Sequence, residues 1–286
     1  MQLRTLLLLT FITFSSYVLG QSLKAEIDSI YNFKPSKLSK AEQQAKFPAM
    51  DKLFNKIKND TTQYLPLLRN ELSNPGHNPY FYYDGCTLLL SLSHKLSDKN
   101  LIATTIVKAD LEDLNREMYT RMLNQLANDG VNITTAALKI LKDDKFSFFI
   151  PQHAFTFSQG YALAYLLLPQ NNTSYIDSLI SIFKDSSPVA QKSILMTLWF
   201  AYSCKGDALL KASIEDKLLS KDVKAFAKDA MEHGKLSKEE TEYINTLDKA
   251  TILNLRAKAL KRFSDEAVGE LDLTTKVLRR DISCRQ

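Results

Sequence analysis

Signals that open helices recur along this chain at nearly constant spacing, and this periodicity constrains the fold more than any other feature. One series consists of prolines or capping residues that precede apolar stretches. Its intervals are roughly 34–37 residues, with one interval of twice that length. Its members are Pro79, Pro151, Pro188 and Asp222. The double interval predicts a further helix near residue 115, with Asp113 or Asn115 as its N-cap.

A second series of helix starts lies one helix upstream of the first and has the same period. Its members are Thr61, Asp98, Thr134, Thr173 and Asp207. Apolar residues follow each start at helical spacing. Two interleaved series of equal period indicate a helix–turn–helix unit that is repeated about five times.

The scarcity of turn residues supports a helical fold. Glycine and proline occur eight times each in 286 residues, which disfavours a β-sandwich or β-barrel. No β-strand is predicted. The expected fold class is all-α, a right-handed α-solenoid of about five helix–turn–helix repeats with helical caps.

The repeat region, 60–234, resembles HEAT-type helical repeats in its period and in the residues around two inter-helix turns. These residues are Asp185, Val189 and Ser193 in one unit, and Val223 and Ala227 in the next. The resemblance implies stacked helix pairs that present a long surface to a binding partner.

The N-terminus has the pattern of a secretory signal peptide. Arg4 precedes an apolar stretch that is too short to span a bilayer, and short side chains precede Gly20. Residues 1–20 are therefore predicted to be removed, and a retained anchor is the alternative. The mature protein is expected to be secreted or periplasmic. No later stretch is long enough to form an integral membrane segment.

Helical caps are expected on both sides of the repeats, at residues 21–59 and 235–286, because terminal repeats would otherwise expose apolar surface. Ser39 and Glu42 form a capping-box pattern in the first cap. Three glycines occupy positions expected just after helix ends, namely Gly130, Gly206 and Gly234.

Three widely spaced cysteines do not indicate a disulfide framework. Cys86 and Cys204 lie in apolar helical stretches and are expected to be small buried side chains. Cys284 lies near the C-terminus and is expected to be exposed.

No local motif for catalysis or metal binding is present in the sequence. The four histidines lack the spacing of zinc ligands, and neither a Gly-rich phosphate loop nor a nucleophile elbow occurs. We therefore predict no catalytic residue, metal or cofactor. The net charge of +5 is small, and its densest cluster of basic residues lacks interleaved aromatic rings, so nucleic acid is not an expected partner.

Two segments depart from the simple helical pattern, and they align when Gly85 is matched with Gly160. Both are rich in aromatic residues and carry polar groups early in the helix. One interpretation is an aromatic binding groove with polar anchors. Its candidate residues are Tyr80, Tyr83, Asp84, Gln152, His153 and Gln159. The alternative is close packing between repeats through the two glycines, with the polar groups capping helix ends.

The leading functional hypothesis is an exported, non-catalytic interaction or scaffold module that binds a protein or peptide. The alternative is a hydrolase or small-ligand binder with a groove near Asp84 and His153, with Asp113 or Glu117 as further acidic groups. A direct Asp84–His153 dyad is disfavoured, because equivalent positions two repeats apart lie roughly 20 Å from each other.

Overall fold

The computed structural model describes residues 22–34, 37–112, 114–150, 155–170, 173–201, 203–233, 237–248 and 250–251. These residues are mainly helical, which confirms the all-α class. The predicted signal peptide and most of the predicted C-terminal cap lie outside the described residues, as do Gly234 and Cys284. The chain divides into two compact units, Met1–Asn115 and Arg116–Gln286.

The described residues of the first unit form five helices. They are α1 (residues 22–30), α2 (Lys40–Asn59), α3 (Thr61–Ser73), α4 (Pro79–Leu92) and α5 (Leu96–Thr105), which continues into a 3-10 turn at Ile106–Lys108. The predicted capping box opens α2, where Ser39 and Glu42 bond to each other's backbone N–H. Asn78 caps α4 and is followed by Pro79 at the first helical position, as the sequence predicts.

The second unit contains eight helices and a β-hairpin within the part of the chain that the structure describes. The helices are α6 (Arg116–Asn128), α7 (Thr134–Leu138) with a 3-10 turn at Lys139–Lys142, α8 (Gln159–Leu167), α9 (Ser174–Ile182), α10 (Pro188–Ala201), α11 (Cys204–Glu215), α12 (Lys221–His233) and α13 (Lys238–Thr246). The strands are β1 (Ser147–Ile150) and β2 (Phe155–Ser158).

The second series of predicted helix starts agrees closely with the structure. α3 and α7 begin at the predicted residues, and α5, α9 and α11 begin within three residues of them. In the first series, α4 and α10 begin at their predicted prolines and α12 begins one residue early. The helix near residue 115 is also present, as α6. The stacking of these helices as a right-handed solenoid, and its HEAT-type character, stay predictions.

The helix predicted to open at Pro151 is wrong, because residues 155–158 form a β-strand that pairs with residues 147–150. β1 pairs with β2 in the register Phe148 with Phe157 and Phe149 with Thr156. Aromatic and β-branched residues favour extended backbone, and alternation puts Phe148 and Phe157 on one face. Both rings are buried and their centroids lie 5.2 Å apart. Helix α8 begins only after the hairpin, at Gln159.

Two of the glycines predicted to follow helix ends are among the described residues. The prediction is confirmed for one of them and wrong for the other. Gly130 has a φ of +81°, and two backbone bonds, Gly130 to Ala127 and Val131 to Leu126, form a Schellman motif after α6. Gly206 instead lies in the first turn of α11, where its N–H donates to the capping hydroxyl of Ser203.

The cysteine predictions also have different outcomes. Cys86 is free and fully buried on α4, as expected. The prediction of a buried, unbonded Cys204 is wrong. This residue is exposed at the first position of α11 and is bonded in a disulfide.

Candidate functional site

Three of the predicted groove residues lie on α4 in the first unit. The Tyr83 ring is buried, whereas Tyr80 and Asp84 are half-buried. The Tyr31 hydroxyl, just after α1, donates a hydrogen bond of 2.9 Å to Asp84 Oδ2. Asp84 therefore joins α4 to a residue from the predicted N-terminal cap.

Burial controls the chemistry of the Asp84 carboxyl. It raises the pKa of Asp84 to about 6, against an opposing effect of the hydrogen bond from Tyr31. Burial, together with the nearby Asp84 charge, also raises the pKa of the Tyr31 hydroxyl. A carboxyl group that titrates near pH 6 can exchange a proton under mild conditions.

The aromatic residues at the start of α4 pack against the chain's own segment 31–33. The ring centroids of Tyr31 and Phe81 lie 5.5 Å apart, and those of Phe33 and Tyr80 lie 6.1 Å apart. The Asn78 amide donates to the backbone carbonyls of Tyr31 and Phe33. In this unit, the predicted aromatic surface is thus in contact with the N-terminal segment.

Gln159 lies in the second unit, where its side chain is only 2% exposed. Its amide nitrogen donates to the carbonyl oxygens of Ile140 at 3.0 Å and Asp143 at 2.7 Å. Its amide oxygen accepts a bond of 2.6 Å from the Ser193 hydroxyl on α10. These bonds fix the start of α8 to two neighbouring elements.

The remaining groove candidates, Gln152 and His153, lie outside the described residues, as does Asp113. Glu117, another acidic candidate, forms an ion pair of 2.5 Å with Arg121 one turn further along α6. A single groove that joins Asp84, His153 and Gln159 stays a prediction.

Both aligned glycines lie in close contact with neighbouring residues, whereas packing between repeats through them stays a prediction. A Cβ atom on Gly85 would lie 2.9 Å from Leu72 Cδ2. A Cβ atom on Gly160 would lie 2.9 Å from Met196 Sδ and 3.3 Å from the Cα atom of Ser193. Gly160 therefore allows α8 and α10 to pack closely.

A buried histidine cluster in the first unit was not predicted. His77 Nε2 lies 2.8 Å from Glu71 Oε2, and His77 Nδ1 lies 3.2 Å from Asp28 Oδ1. A hydrogen bond from Lys24 is the main cause that lowers the pKa of the Asp28 carboxyl, and His77 lowers it further. No local pattern could indicate this cluster, because its members come from α1, α3 and the loop before α4.

A groove in the second unit lies beside Gln159. It has a volume of about 360 Å³ and runs between the base of the hairpin and helices α8, α10 and α12. Three half-buried apolar side chains contribute to its lining, Val189, Met196 and Phe226. The sequence did not single out these residues as a site, because the hairpin that helps to form the groove was expected to be helical.

Two amines and one carboxylate also line this groove. Lys145 is exposed at the base of the hairpin and Lys192 is half-buried on α10. The Asp144 carboxylate accepts a hydrogen bond of 2.6 Å from the Ser187 hydroxyl. We call this site, with Val189, Met196, Phe226 and the two lysines, the α8–α10 groove.

Among the described residues, no group of three or more histidine, cysteine, aspartate or glutamate side chains is arranged to hold a metal ion. None of the described helices combines the length and the apolar character needed to cross a bilayer. No family model, curated protein or solved structure matches the chain.

Proposed function

We propose that this chain is a non-catalytic interaction module that binds a peptide segment of another protein in the α8–α10 groove. The observation that carries the proposal is an apolar groove bordered by amines. Its volume is about 360 Å³, which is typical of sites that bind small groups. A groove of this volume accommodates one or two large side chains. Met196 adds an adaptable surface, since the methionine side chain is flexible and polarisable.

The charges at the groove define the expected peptide. Lys145 and Lys192 present amines, while Asp144 is engaged by Ser187. An acidic residue next to a large apolar residue would pair with the amines and fill the apolar part of the groove. Segments with this pattern are therefore the proposed partners.

Screening of a displayed peptide library against the full chain tests the proposal. Peptides with an acidic residue beside a large apolar residue should be enriched. In titrations with an enriched peptide, Phe226→Ala should weaken binding about tenfold, because it removes apolar contact area. Lys192→Glu should weaken binding at least as much, because it replaces an attraction with a repulsion.

Matched controls separate the groove from general effects on the surface. Leu218→Ala removes an apolar side chain that is 93% exposed, and Lys184→Glu reverses a charge outside the groove. Neither control should change the affinity by more than about twofold. Equal weakening by Lys184→Glu and Lys192→Glu, or enrichment of peptides without an acidic residue, would reject the proposed site.

We also propose that the protein is secreted or periplasmic, with cleavage after Gly20. The disulfide at Cys204 supports this, because disulfides persist in oxidising compartments. Mass spectrometry of the protein from its native source should give a chain that begins at Gln21. A mass that includes residues 1–20 would contradict the proposal.

The proposed architecture is a right-handed, HEAT-like solenoid. The proposal is supported by the paired helices, which begin near the predicted positions. Small-angle X-ray scattering tests it, since stacked pairs give a longer maximum dimension than a sphere of the same mass. A scattering curve typical of a sphere would contradict the solenoid.

One observation favours the enzymatic alternative, namely an Asp84 carboxyl with a pKa of about 6. Such a group could act as a general acid or base in a hydrolase. A panel of chromogenic esters, phosphoesters and glycosides tests this alternative. Hydrolysis that is lost in Asp84→Asn and retained in Asp51→Asn would support it, whereas hydrolysis that Asp84→Asn leaves intact would exclude Asp84 from it.

A further inference from the structure

A second groove, independent of the proposed peptide site, lies within the first unit. It is open and has a volume of about 580 Å³. The first turns of α3 form one side, with the exposed hydroxyls of Thr61 and Thr62. The turn between α4 and α5 forms the other side and carries His94 and Lys95. Both of these side chains are exposed.

An ion pair with a buried carboxylate fixes the guanidinium of Arg69 at this groove. Arg69 Nε and Nη2 donate bonds of 2.8 Å each to the two carboxylate oxygens of Asp98. Asp98 is only 4% exposed, and the bonds from Arg69 are the main cause that lowers its pKa. The two bonds use two of the five N–H groups of the guanidinium, and the others stay available beside the groove.

The same carboxylate orders the turn that carries the other cationic groups. The Ser93 hydroxyl donates to Asp98, and the Lys95 backbone N–H donates to the Ser93 hydroxyl at 3.3 Å. The backbone of this turn at Lys95 is therefore linked through Ser93 to Asp98, the partner of Arg69. Such preorganisation lowers the cost of binding a ligand.

The charge of the groove is positive. No acidic residue lines it, and the single buried carboxylate behind it, Asp98, is balanced by Arg69. The ammonium of Lys95 remains. Lys95 is also the N-cap of α5 and makes no side-chain capping bond, so the positive end of the helix dipole lies at the groove.

We propose that this groove binds a phosphate monoester with an apolar body. The phosphate oxygens accept bonds from Arg69, His94 and Lys95, and several converging donors match the many acceptor sites of a tetrahedral anion. The apolar body lies against Leu65, Pro66 and Leu92, which form the apolar part of the lining. The same chemistry occurs in a soluble phosphate ester and in the headgroup region of phosphatidic acid.

Calorimetric titration of the full chain at low ionic strength tests the proposal with phenyl phosphate and inorganic phosphate as probes. Phenyl phosphate should bind saturably and more tightly than inorganic phosphate. Lys95→Gln should weaken the binding of phenyl phosphate about threefold to fivefold, as expected for one exposed charge. The double variant His94→Gln and Lys95→Gln should weaken the binding of phenyl phosphate further. Lys52→Gln, which removes an exposed charge outside the groove, should leave the affinity unchanged.

Sedimentation with vesicles of phosphatidylcholine, with and without phosphatidic acid, distinguishes the two sources. Binding of phenyl phosphate alone indicates a soluble ester, and binding only to phosphatidic acid vesicles indicates a lipid headgroup. In both cases Lys95→Gln must weaken binding more than Lys52→Gln does. The proposal is overturned if neither probe binds, if both lysine variants behave alike, or if inorganic phosphate binds as tightly as phenyl phosphate.

Discussion

At the scale of single residues, Gly160 and Asp84 have the clearest physical roles. Gly160 lacks the side chain that would collide with α10, and this allows α8 to pack there. Asp84 is a carboxyl group held in a mainly apolar environment by one hydroxyl donor. Gly160 leads to a prediction about packing, and Asp84 leads to a prediction about the pH dependence of stability.

Gly160→Ala is expected to destabilise the protein by about 1–2 kcal/mol. Alanine favours the helix by up to about 1 kcal/mol, but overpacking against Met196 and the backbone of Ser193 costs about 1–3 kcal/mol. Urea unfolding at neutral pH measures the difference. The double variant with Met196→Ala should show favourable coupling, because it removes one of the two close contacts. A more stable Gly160→Ala variant would show that α10 moves away without cost.

Gly85→Ala should be destabilising to a smaller extent. Its new methyl group would meet Leu72 Cδ2, the end of a side chain that can rotate, and no backbone atom lies among its nearest contacts. The same urea measurement shows which of the two variants loses more unfolding free energy. A larger loss for Gly85→Ala than for Gly160→Ala would contradict this account.

Asp84 should make the protein less stable as the pH rises from about 4 to about 6. The folded state holds the Asp84 proton up to a pKa of about 6, whereas an unfolded aspartate releases it near pH 3.9. The unfolding free energy therefore falls across this window, by about 3 kcal/mol at most.

Asp84→Asn should remove this pH dependence and should be the more stable form above pH 6, since an amide oxygen still accepts the Tyr31 hydrogen bond. Urea unfolding at several pH values, with Asp51→Asn as the exposed control, measures the effect. A variant with the same pH dependence as the natural sequence would contradict the role of burial.

At the scale of elements, the β-hairpin is the main departure from a helical chain. Its inner face carries the Phe148–Phe157 pair, and the Phe148 ring also lies 6.1 Å from Tyr165 on α8. Its outer face carries Phe149, which is 45% exposed. Neighbouring residues of the same type thus differ in burial because a strand alternates its side chains.

Phe148→Ala should destabilise the protein by about 3 kcal/mol, because it leaves a cavity beside Phe157 and Tyr165. Phe149→Ala, which removes the same atoms one position along, should cost less than about 1 kcal/mol. Thermal or urea unfolding compares the two variants directly. Equal losses would contradict the strand and its register.

Helix starts could be predicted from the sequence because caps and prolines act over a few residues. Asn78 with Pro79 and Ser39 with Glu42 are examples of such local signals. The hairpin was missed because Pro151 resembles a helix start, while the cross-strand pairing of Phe148 with Phe157 is decided by packing. The Asp84–Tyr31 bond was missed for a related reason, since its partners are 53 residues apart.

At the scale of the whole molecule, the chain consists of two compact units, and one of them carries a disulfide. The sequence contains three cysteines. Cys86 is free and buried, and burial raises the pKa of its thiol. Cys204, in contrast, is bonded in a disulfide and has no thiol to titrate.

Thiol titration is expected to give different counts in three states. The native protein should not show the thiol of Cys86, which is buried, and unfolding without reductant should expose this thiol. Reduction before unfolding should release all three cysteines of the sequence. Cys86→Ser should lower the count of the unfolded, unreduced protein by one, and three thiols in that state of the unsubstituted protein would contradict the disulfide.

The bond between Tyr31 and Asp84 also has a consequence for the order of folding. It joins residues 53 positions apart, and Asn78 holds the same segment through its amide. During synthesis, Tyr31 emerges well before Asp84 on α4. The bond that holds segment 31–33 to α4 can therefore form only after α4 has been made.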